Sequence, residues 1–314
     1  MRPMGNYDDA EEEKAARPPS KLPRVLVSVL GYNSPGKTVE TLHSLRRQSY
    51  PNYHLLLVDN ASDKAAVKQV AREFPDLDIR ALPVNSGYTG GTNFALRLAR
   101  DENYDCLLIS THDVEVEPNA VEYLVETAMS HPDAAAVGAV ELNPQTRVER
   151  ASAGGAYSKW FSRHTWKSAG TVECGKERQE VFCVHGAFLL LTDRAISRGV
   201  RMDEHLFMYF DEVDLGFQLK EKGLCALVDR RVIFKHKRDP QSPTPRTGYL
   251  MQRNRLYLIR KYGRWFHLLF YVLYSSLFEL PAKMIIRSLQ GRTGFALACL
   301  KGHLDGFRRP DQTP

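Results

Sequence analysis

Residues 24–45 read RVLVSVLGYNSPGKTVETLHSL. An apolar run of strand length (24–30) enters the polar turn Gly31-Tyr32-Asn33. Ser34-Pro35 then supplies an N-cap and the proline favoured at the first helical position, with Val39, Leu42 and Leu45 following at helical spacing. Strand, short turn and helix make the first half of a βαβ unit, and the grammar repeats downstream. HLLLV (54–58) precedes a helical stretch marked by Val67, Val70, Ala71 and Phe74. DIRAL (78–82), CLLIS (106–110) and AAAVGAV (134–140) continue the strands, with helices expected at 92–101 and 118–130. The pattern predicts an α/β fold, a central mostly parallel sheet flanked by helices.

The chain of 314 residues is 43% apolar and 25% charged, ordinary values for a soluble globular protein. Cys106, Cys174, Cys183, Cys225 and Cys299 are odd in number and contain no CxxC pair, which argues against a disulfide framework or zinc knuckle and for a reducing, cytoplasmic setting. Residues 1–22 are acidic, proline-bearing and lack an apolar stretch, so they read as a disordered tail and not a signal peptide. The net charge of +6 is unevenly placed. Between Arg230 and Arg264 eleven Lys or Arg face one acid, Asp239. A phosphate-bearing ligand, nucleic acid or an anionic membrane face would suit that field, as would a solvated basic helix.

Past residue 141 the pattern loosens into ASAGGAYSKWFSRHTW (151–166), an expected hairpin or loop, and recovers in FCVHGAFLLL (182–191). CALV and RVIFKH suggest two more short strands. Residues 241–314 read as a C-terminal helical extension after a Pro-rich linker, DPQSPTP. Within it WFHLLFYVLYSSLFEL (265–280) falls short of the ~20 apolar residues of a membrane span. It is expected to be buried, dimer-forming or interfacial, core or dimer packing being favoured.

In an open parallel sheet, ligands bind beyond the carboxyl ends of the strands. Those positions hold Tyr32 and Asn33, then Asp59 and Asn60, then NSGYTGGTN (85–93), then Thr111-His112-Asp113. Small, polar or acidic residues at four successive strand ends indicate a site rather than turn chemistry alone. The glycine-rich stretch is GxxGG after the third strand, not GxGxxG after the first, and no GxxxxGK[ST] occurs, so dinucleotide and P-loop readings are disfavoured. Gly87, Gly90 and Gly91 would let the backbone approach a flat or phosphorylated ligand. Asp113 beyond a buried strand needs a counter-charge, which a divalent cation could supply, and His236 could be its second protein ligand.

HLFMYFDEVDLGFQLKEKG (205–223) places Asp211, Glu212 and Asp214 after apolar and aromatic side chains. A helix starting at Glu212 would make Asp211 the N-cap and Asp214 part of a near capping box, with Gly223 at the stop. Alternatively, a reaction uses the carboxylates.

The ordered set VLVSVLGYN, LLLVDNAS, NSGYTGGTN, LLISTHDV, HGAFLLL, FMYFDEVDL and IFKH, with RNRLYLIRKYG and LKGHLDGFRR in the tail, resembles the inverting family-two glycosyltransferases of the GT-A fold, particularly the bacterial rhamnosyltransferase-like branch. The resemblance spans residues 24–309. It implies a GT-A catalytic domain over 23–240, with a nucleotide-binding part (23–115) and an acceptor or catalytic part (116–240). Tyr32, Asn33 and Asp59 would surround the nucleotide, with Asp59 on the base, and Asn85 to Asn93 would lie beneath the nucleoside. Asp113 would bind Mg2+ or Mn2+ as the acid of a DxD-like motif, and His236 would close the site beside metal and diphosphate. Glu212 stands where the family places its catalytic base, beside Asp211, with Asp214 capping or orienting the helix. Two departures are visible: His112 replaces an acid or amide and would meet ribose or phosphate, and the base motif reads Asp-Glu where Glu-Asp is usual. Either carboxylate could take the proton; position favours Glu212, with Asp211 held ionised by the helix start.

The resemblance implies a nucleoside-diphosphate sugar donor, with dTDP-rhamnose suggested by analogy with the branch, and a glycan, lipid-linked or small-molecule acceptor. A non-catalytic nucleotide-sugar-binding scaffold is the main alternative. The C-terminal helices could serve peripheral membrane contact or a homodimer. The lack of any nucleic-acid module argues against a nucleic-acid partner despite the basic stretch.

Overall fold

The computed structural model describes residues 22–142, 152–168, 178–237 and 243–308. The expected N-terminal tail (but for Leu22), Cys174 and most of the Pro-rich linker lie outside the described residues. Strand β1 (Val25–Gly31) is buried along its whole length and pairs in parallel with β2 (Tyr53–Asp59) and β4 (Cys106–Thr111), and β2 pairs in parallel with β3 (Asp78–Ala81). Beyond β4 the sheet becomes mixed, in the order β3-β2-β1-β4-β10-β6-β11-β5. Here β5 is Val114–Val116, β6 Ala134–Leu142, β10 Phe188–Thr192 and β11 Cys225–His236. Strand β10 runs antiparallel to both neighbours, whereas β6 and β11 are parallel. The loosened middle of the sequence forms the hairpin β7 (Ser152–Ser158) and β8 (Arg163–Ser168), and β9 (Arg178–Val181) pairs with β11.

Both faces of the sheet's centre are covered, which is why β1, β4 and β10 are near-continuous apolar runs rather than alternating. Val25, Val27 and Val29 face a core built with α1 (Pro35–Arg46), α2 (Lys64–Glu73) and α4 (Ala120–Ser130). Leu26 and Leu30 face the opposite core, built with α3 (Gly87–Asp101), α5 (Asp193–Ser197) and α6 (Asp211–Glu221). Helix α3 begins five residues before the expected 92, because Gly87 at φ +73 turns the chain directly into it.

CALV and RVIFKH are one strand and not two. Register shifts between Asp229 and Ile233 bulge β11 around buried Asp229, whose carboxylate takes bonds from Thr127 Oγ1 (2.6 Å) and Arg231 Nη2 (2.7 Å). A charge that looks like a strand break is thus accommodated within the sheet.

The C-terminal helices are α7 (Pro245–Tyr262), α8 (Trp265–Tyr274), α9 (Leu280–Leu289) and α10 (Thr293–Asp305), with a π-helical turn over Ser275–Glu279 joining α8 to α9. The resulting helix, Trp265–Leu289, has 25 residues and a mean hydropathy of 1.4 in its most apolar window, long and apolar enough by composition to cross a membrane. This corrects the expectation drawn from residues 265–280, which stopped short of α9. The favoured core packing is corrected too: Tyr271, Ser275 and Leu280 are buried, while most of the apolar surface faces outward.

Candidate functional site

Strand register brings the rim segments after β1, β2 and β4 level. Gly31 pairs with Asp59, and the preceding Leu30 pairs with Thr111. Asn33, at φ 45, accepts a bond from the Asp63 N–H at 2.8 Å and its own N–H donates to Ser62 Oγ at 2.9 Å, while the Ser62 N–H donates to Asp59 Oδ2 at 3.0 Å. The two turns are therefore laced together around buried Asp59, and Tyr32 remains exposed beside it. A narrow hollow between them is lined by Gly31, Tyr32, Asn33, Asp59 and Ser62.

The 85–93 segment has more structural work than its sequence suggested. Asn60 holds it, accepting from the Ser86 N–H at 2.9 Å and donating to Gly87 O at 2.9 Å; Asn85 Oδ1 accepts from the Gly87 N–H. A Cβ on Gly91 would stand 2.3 Å from Leu30, so this glycine seats α3 on the sheet, and Gly90 likewise abuts Ser86. The expected ligand approach at Gly90 and Gly91 is replaced by helix packing. Asn93 is also redirected: its amide donates to Met202 O and Glu204 Oε1 and accepts from the Met202 N–H, all within 2.9 Å. Full use of that side chain fixes the segment leading to the acidic pair instead of reaching a nucleoside.

At the end of β4, Thr111 Oγ1 donates to Asp113 Oδ1 at 2.8 Å, and His236 Nε2 lies 3.3 Å from the same oxygen. His236 Nδ1 is 2.8 Å from Glu141 Oε1, and the second Glu141 oxygen lies 3.6 Å from His185 Nε2, a ring stacked on Trp166 at 3.8 Å. Burial alone would raise the Asp113 pKa, yet the bond and charge of His236 drive it well below the ordinary carboxylate range. Burial opposes His236 in turn, but Asp113 and Glu141 raise it above its usual value. His112 is held down by burial and stays neutral, with Nδ1 3.3 Å from Leu30 O.

Among the described residues no group of three or more His, Cys, Asp or Glu is arranged to hold a metal ion. Asp113 and His236 nevertheless offer an oxygen and an imidazole side by side. That is the small protein share expected where Mg2+ or Mn2+ takes most of its ligands from phosphate and water.

The acidic pair sits at the start of α6. Asp211 is not the N-cap, as the sequence suggested; it is the first helical residue, and Phe210 caps the helix from a left-handed conformation without any side-chain bond. Phe207, Tyr209 and Phe210 all have φ between 62 and 71, a run of strained non-glycine backbone. It persists because α7 clamps it: buried Asn254 donates to the carbonyls of Leu206, Met208 and Tyr209 at 2.9–3.0 Å, and Arg253 Nη2 donates to those of His205 and Leu206. Lys261 of the same helix joins Asp203 (2.6 Å) to Asp214 (2.7 Å) across the loop. Asp214 is thus an anchor for α7 and not part of a capping box.

Burial raises the pKa of Asp211, helped by the charge of Asp214, despite the backbone N–H groups at the helix start. Glu212 is raised by burial and by Asp211. The expectation that Asp211 stays ionised as a cap fails because it does not cap and is only 5% exposed. Tyr88 stays protonated beside the pair and donates to Gly186 O at 2.6 Å.

The two acidic sites are joined by residues 185–187. A Cβ on Gly186 would stand 3.2 Å from Asp211 Oδ2, His185 faces Glu141, and Ala187 O accepts from the Thr111 N–H. Contacts therefore run from Asp211 through this segment and Glu141 to His236 and Asp113.

The model of glycosyl transferase family 2 matches residues 27–196, more than half the chain. The protein belongs to that family. Among curated relatives, the glycosyltransferase is 26% identical over 235 residues to the N-acetylglucosaminyl-diphospho-decaprenol L-rhamnosyltransferase of Mycobacterium tuberculosis, covering 67% of this chain and 76% of the relative. Its fold matches GalNAc-T7 solved with UDP, GalNAc and Mn2+ at a TM-score of 0.67 and 13% identity, over 90% of this chain and 57% of the other. It also matches the mannosyltransferase PcManGT of Pyrobaculum calidifontis, solved with GDP-Man and Mn2+, at 0.56 and 16% identity, over 94% and 91%. The chain has the GT-A fold.

Sequence reasoning missed Glu141, His185, Tyr88 and the Asn254–Lys261 clamp of this glycosyltransferase. Glu141 carried a usable signal, a carboxylate at the carboxyl-terminal end of β6, the same feature that marked Asp59 and Asp113. Asn254 gave none, since a polar residue in a basic helix resembles a solvated one.

Proposed function

We propose that the protein transfers a sugar, with inversion, from a nucleoside diphosphate donor to an acceptor hydroxyl, using Glu212 as general base. The carrying observation is the adjacent carboxylates of buried Asp211 and partly exposed Glu212, both with raised proton affinity, linked through residues 185–187 to the Asp113–His236 pair. Acceptor hydroxyls are weak acids, so a carboxylate with a pKa displaced toward neutrality removes their proton more effectively. Glu212 is the better placed of the two because it is partly exposed while Asp211 is buried. As the acceptor oxygen bonds to the anomeric carbon from one side, its proton passes to Glu212 and the bond to diphosphate breaks on the other side. Tyr88, through Gly186, and Asn254, through the loop carbonyls, hold the base in position.

Asp59, Tyr32 and Asn33 line the proposed base and ribose subsite, with Asn85, Gly87 and His112 beside it. Asp113 and His236 would hold Mg2+ or Mn2+, whose charge offsets that of the departing diphosphate. The metal in the solved neighbours supports this assignment. The rhamnosyltransferase relative supports rhamnose as the sugar and a lipid-linked N-acetylglucosaminyl diphosphate as acceptor, and the sequence resemblance suggests dTDP as the donor nucleotide. Cytoplasmic action is supported by Cys106, Cys183, Cys225 and Cys299, all unpaired among the described residues.

The test offers dTDP-rhamnose, UDP-sugars and GDP-sugars to the full chain with Mn2+ or with chelator, following nucleotide release, thermal shift and product anomeric configuration. Metal-dependent transfer with inversion is expected. Stabilisation by a nucleotide-sugar without turnover against any acceptor would favour the scaffold reading.

A further inference from the structure

The helix Trp265–Leu289 is amphipathic in the wrong sense for a protein surface. Every fourth residue along it, Trp265, Leu269, Leu273, Leu277, Pro281, Ile285 and Leu289, forms a ridge inclined to the helix axis, a stripe that winds gradually around it. Its large apolar members are exposed, with Trp265 at 76%, Leu277 at 64% and Leu289 at 83%. Phe270, Phe278 and Ile286 widen the stripe and are exposed too. The polar atoms point inward: Glu279 takes Arg255 Nη2 at 2.9 Å and Lys283 Nζ at 2.6 Å. An apolar face this long is not left to water in a stable protein.

Charge selects what covers it. Residues 243–308 contain eleven Lys or Arg and two acids, Glu279 and Asp305. Both acids are engaged in ion pairs, Asp305 with Arg308 at 3.0 Å. A second copy of the chain packed on this face would bring two positive fields together. An anionic surface would be attracted. On α10, exposed Leu297 and Leu304 flank exposed Lys301, the alternation of apolar anchor and cation that suits a lipid headgroup boundary.

From the exposed stripe and its basic surround, we propose that α8, α9 and the outer face of α10 form a docking surface for an anionic lipid bilayer, with the helix lying in the interface plane. The helix does not cross the membrane, because Tyr271, Ser275 and the Arg255–Glu279 pair tie its other face to α7 and the β7–β8 turn. Since α7 also clamps the 206–210 loop, docking would set the acidic pair at a fixed height above the lipid surface. The inference stands apart from the transfer reaction, and its test needs neither donor nor turnover.

Full-length protein is sedimented with phosphatidylglycerol-rich vesicles and with phosphatidylcholine vesicles. We expect binding to the anionic vesicles and about tenfold weaker binding to the neutral ones or at high salt. Leu277→Glu and Ile285→Glu should each reduce binding about tenfold or more, with the far-ultraviolet spectrum and nucleotide thermal shift unchanged. Should those variants misfold, brominated phosphatidylglycerol should quench tryptophan fluorescence in the unmodified protein and less in Trp265→Phe. Protein left in the supernatant with anionic vesicles would overturn the proposal. So would equal affinity for both vesicle types, or a solution dimer dissociated by Leu277→Glu, which would assign the face to a second copy.

Discussion

Two carboxylate sites share this cleft, and burial pushes both toward neutrality, yet they titrate in opposite directions. Asp113 meets His236 at 3.3 Å and falls below the ordinary range. Asp211 and Glu212 meet each other and Asp214, and rise above it. The difference is the partner, not the depth. A carboxylate kept ionised is fitted to a cation and a leaving diphosphate, whereas one with raised proton affinity is fitted to accept a proton. The comparison also explains why α7 is part of the site, since like charges at the start of α6 stay together only while the strained loop before them is held.

The sharpest way to break that contrast is Glu212→Gln, which keeps shape and removes the base. Turnover should fall about 10²- to 10⁴-fold, with nucleotide binding preserved. Asp211→Asn should cost less and shift the pH profile, because the neutral amide removes the charge that helps raise Glu212. Equal turnover by wild type and Glu212→Gln across the pH range would remove Glu212 from the role.

Next in size is Asn254→Ala. The two N–H groups of the Asn254 amide are shared among the carbonyls of Leu206, Met208 and Tyr209, and at roughly 0.5–1.5 kcal/mol per bond about 1–3 kcal/mol of stability should disappear in denaturant unfolding. If the loop rather than the whole fold carries the loss, hydrogen exchange should rise first at residues 204–211, and turnover should drop more than nucleotide affinity.

These two sites differ in how far the sequence disclosed them. The parallel half of the sheet was legible because β1, β2 and β4 bury both faces and announce themselves as apolar runs, and because strand ends are where a sheet exposes ligand groups. Asp113 and His236 followed from that rule, and Glu141 would have followed had it been extended to β6. The acidic pair was visible as chemistry but misread as a capping arrangement. Its helix start depends on left-handed Phe210, and the loop leading into that residue is held at Leu206, Met208 and Tyr209 by Asn254, 44 positions later in the chain than Phe210. Local propensity carries no trace of such a long-range clamp. The outward stripe of α8 and α9 was misjudged for a related reason: apolar residues imply burial, but not whether the cover is protein or lipid.

Glu141→Gln probes the other side of the comparison. Glu141 touches neither donor nor acceptor in the proposed scheme; it is a positioning residue that holds His236 at Nδ1, leaving Nε2 toward Asp113. Replacement of such an outer carboxylate typically weakens metal affinity about 10- to 100-fold. Mn2+ binding followed by its paramagnetic resonance signal should weaken by that amount, and excess Mn2+ should restore turnover. A purely structural role would instead lower stability without moving the metal dependence.

The smallest expected effect is in stability against pH. Native Asp211 has a pKa above its unfolded value of about 4, so between the two the native chain binds more protons than the unfolded one. The stabilisation from the bound proton is complete below the unfolded pKa and is lost as pH rises through the folded one. Asp211→Asn keeps the neutral shape at every pH, so its stability relative to wild type should improve as pH rises from about 4 to about 7, where native Asp211 titrates, and level off above. A relative gain of about 1–2 kcal/mol, a few degrees in Tm, is the scale set by one carboxylate shifted by a unit or more. A variant that loses ground to wild type as pH rises would mean the pair is ionised and paired at neutral pH. Its likeness to Asp113 would then replace the contrast from which Glu212 derives its role as base.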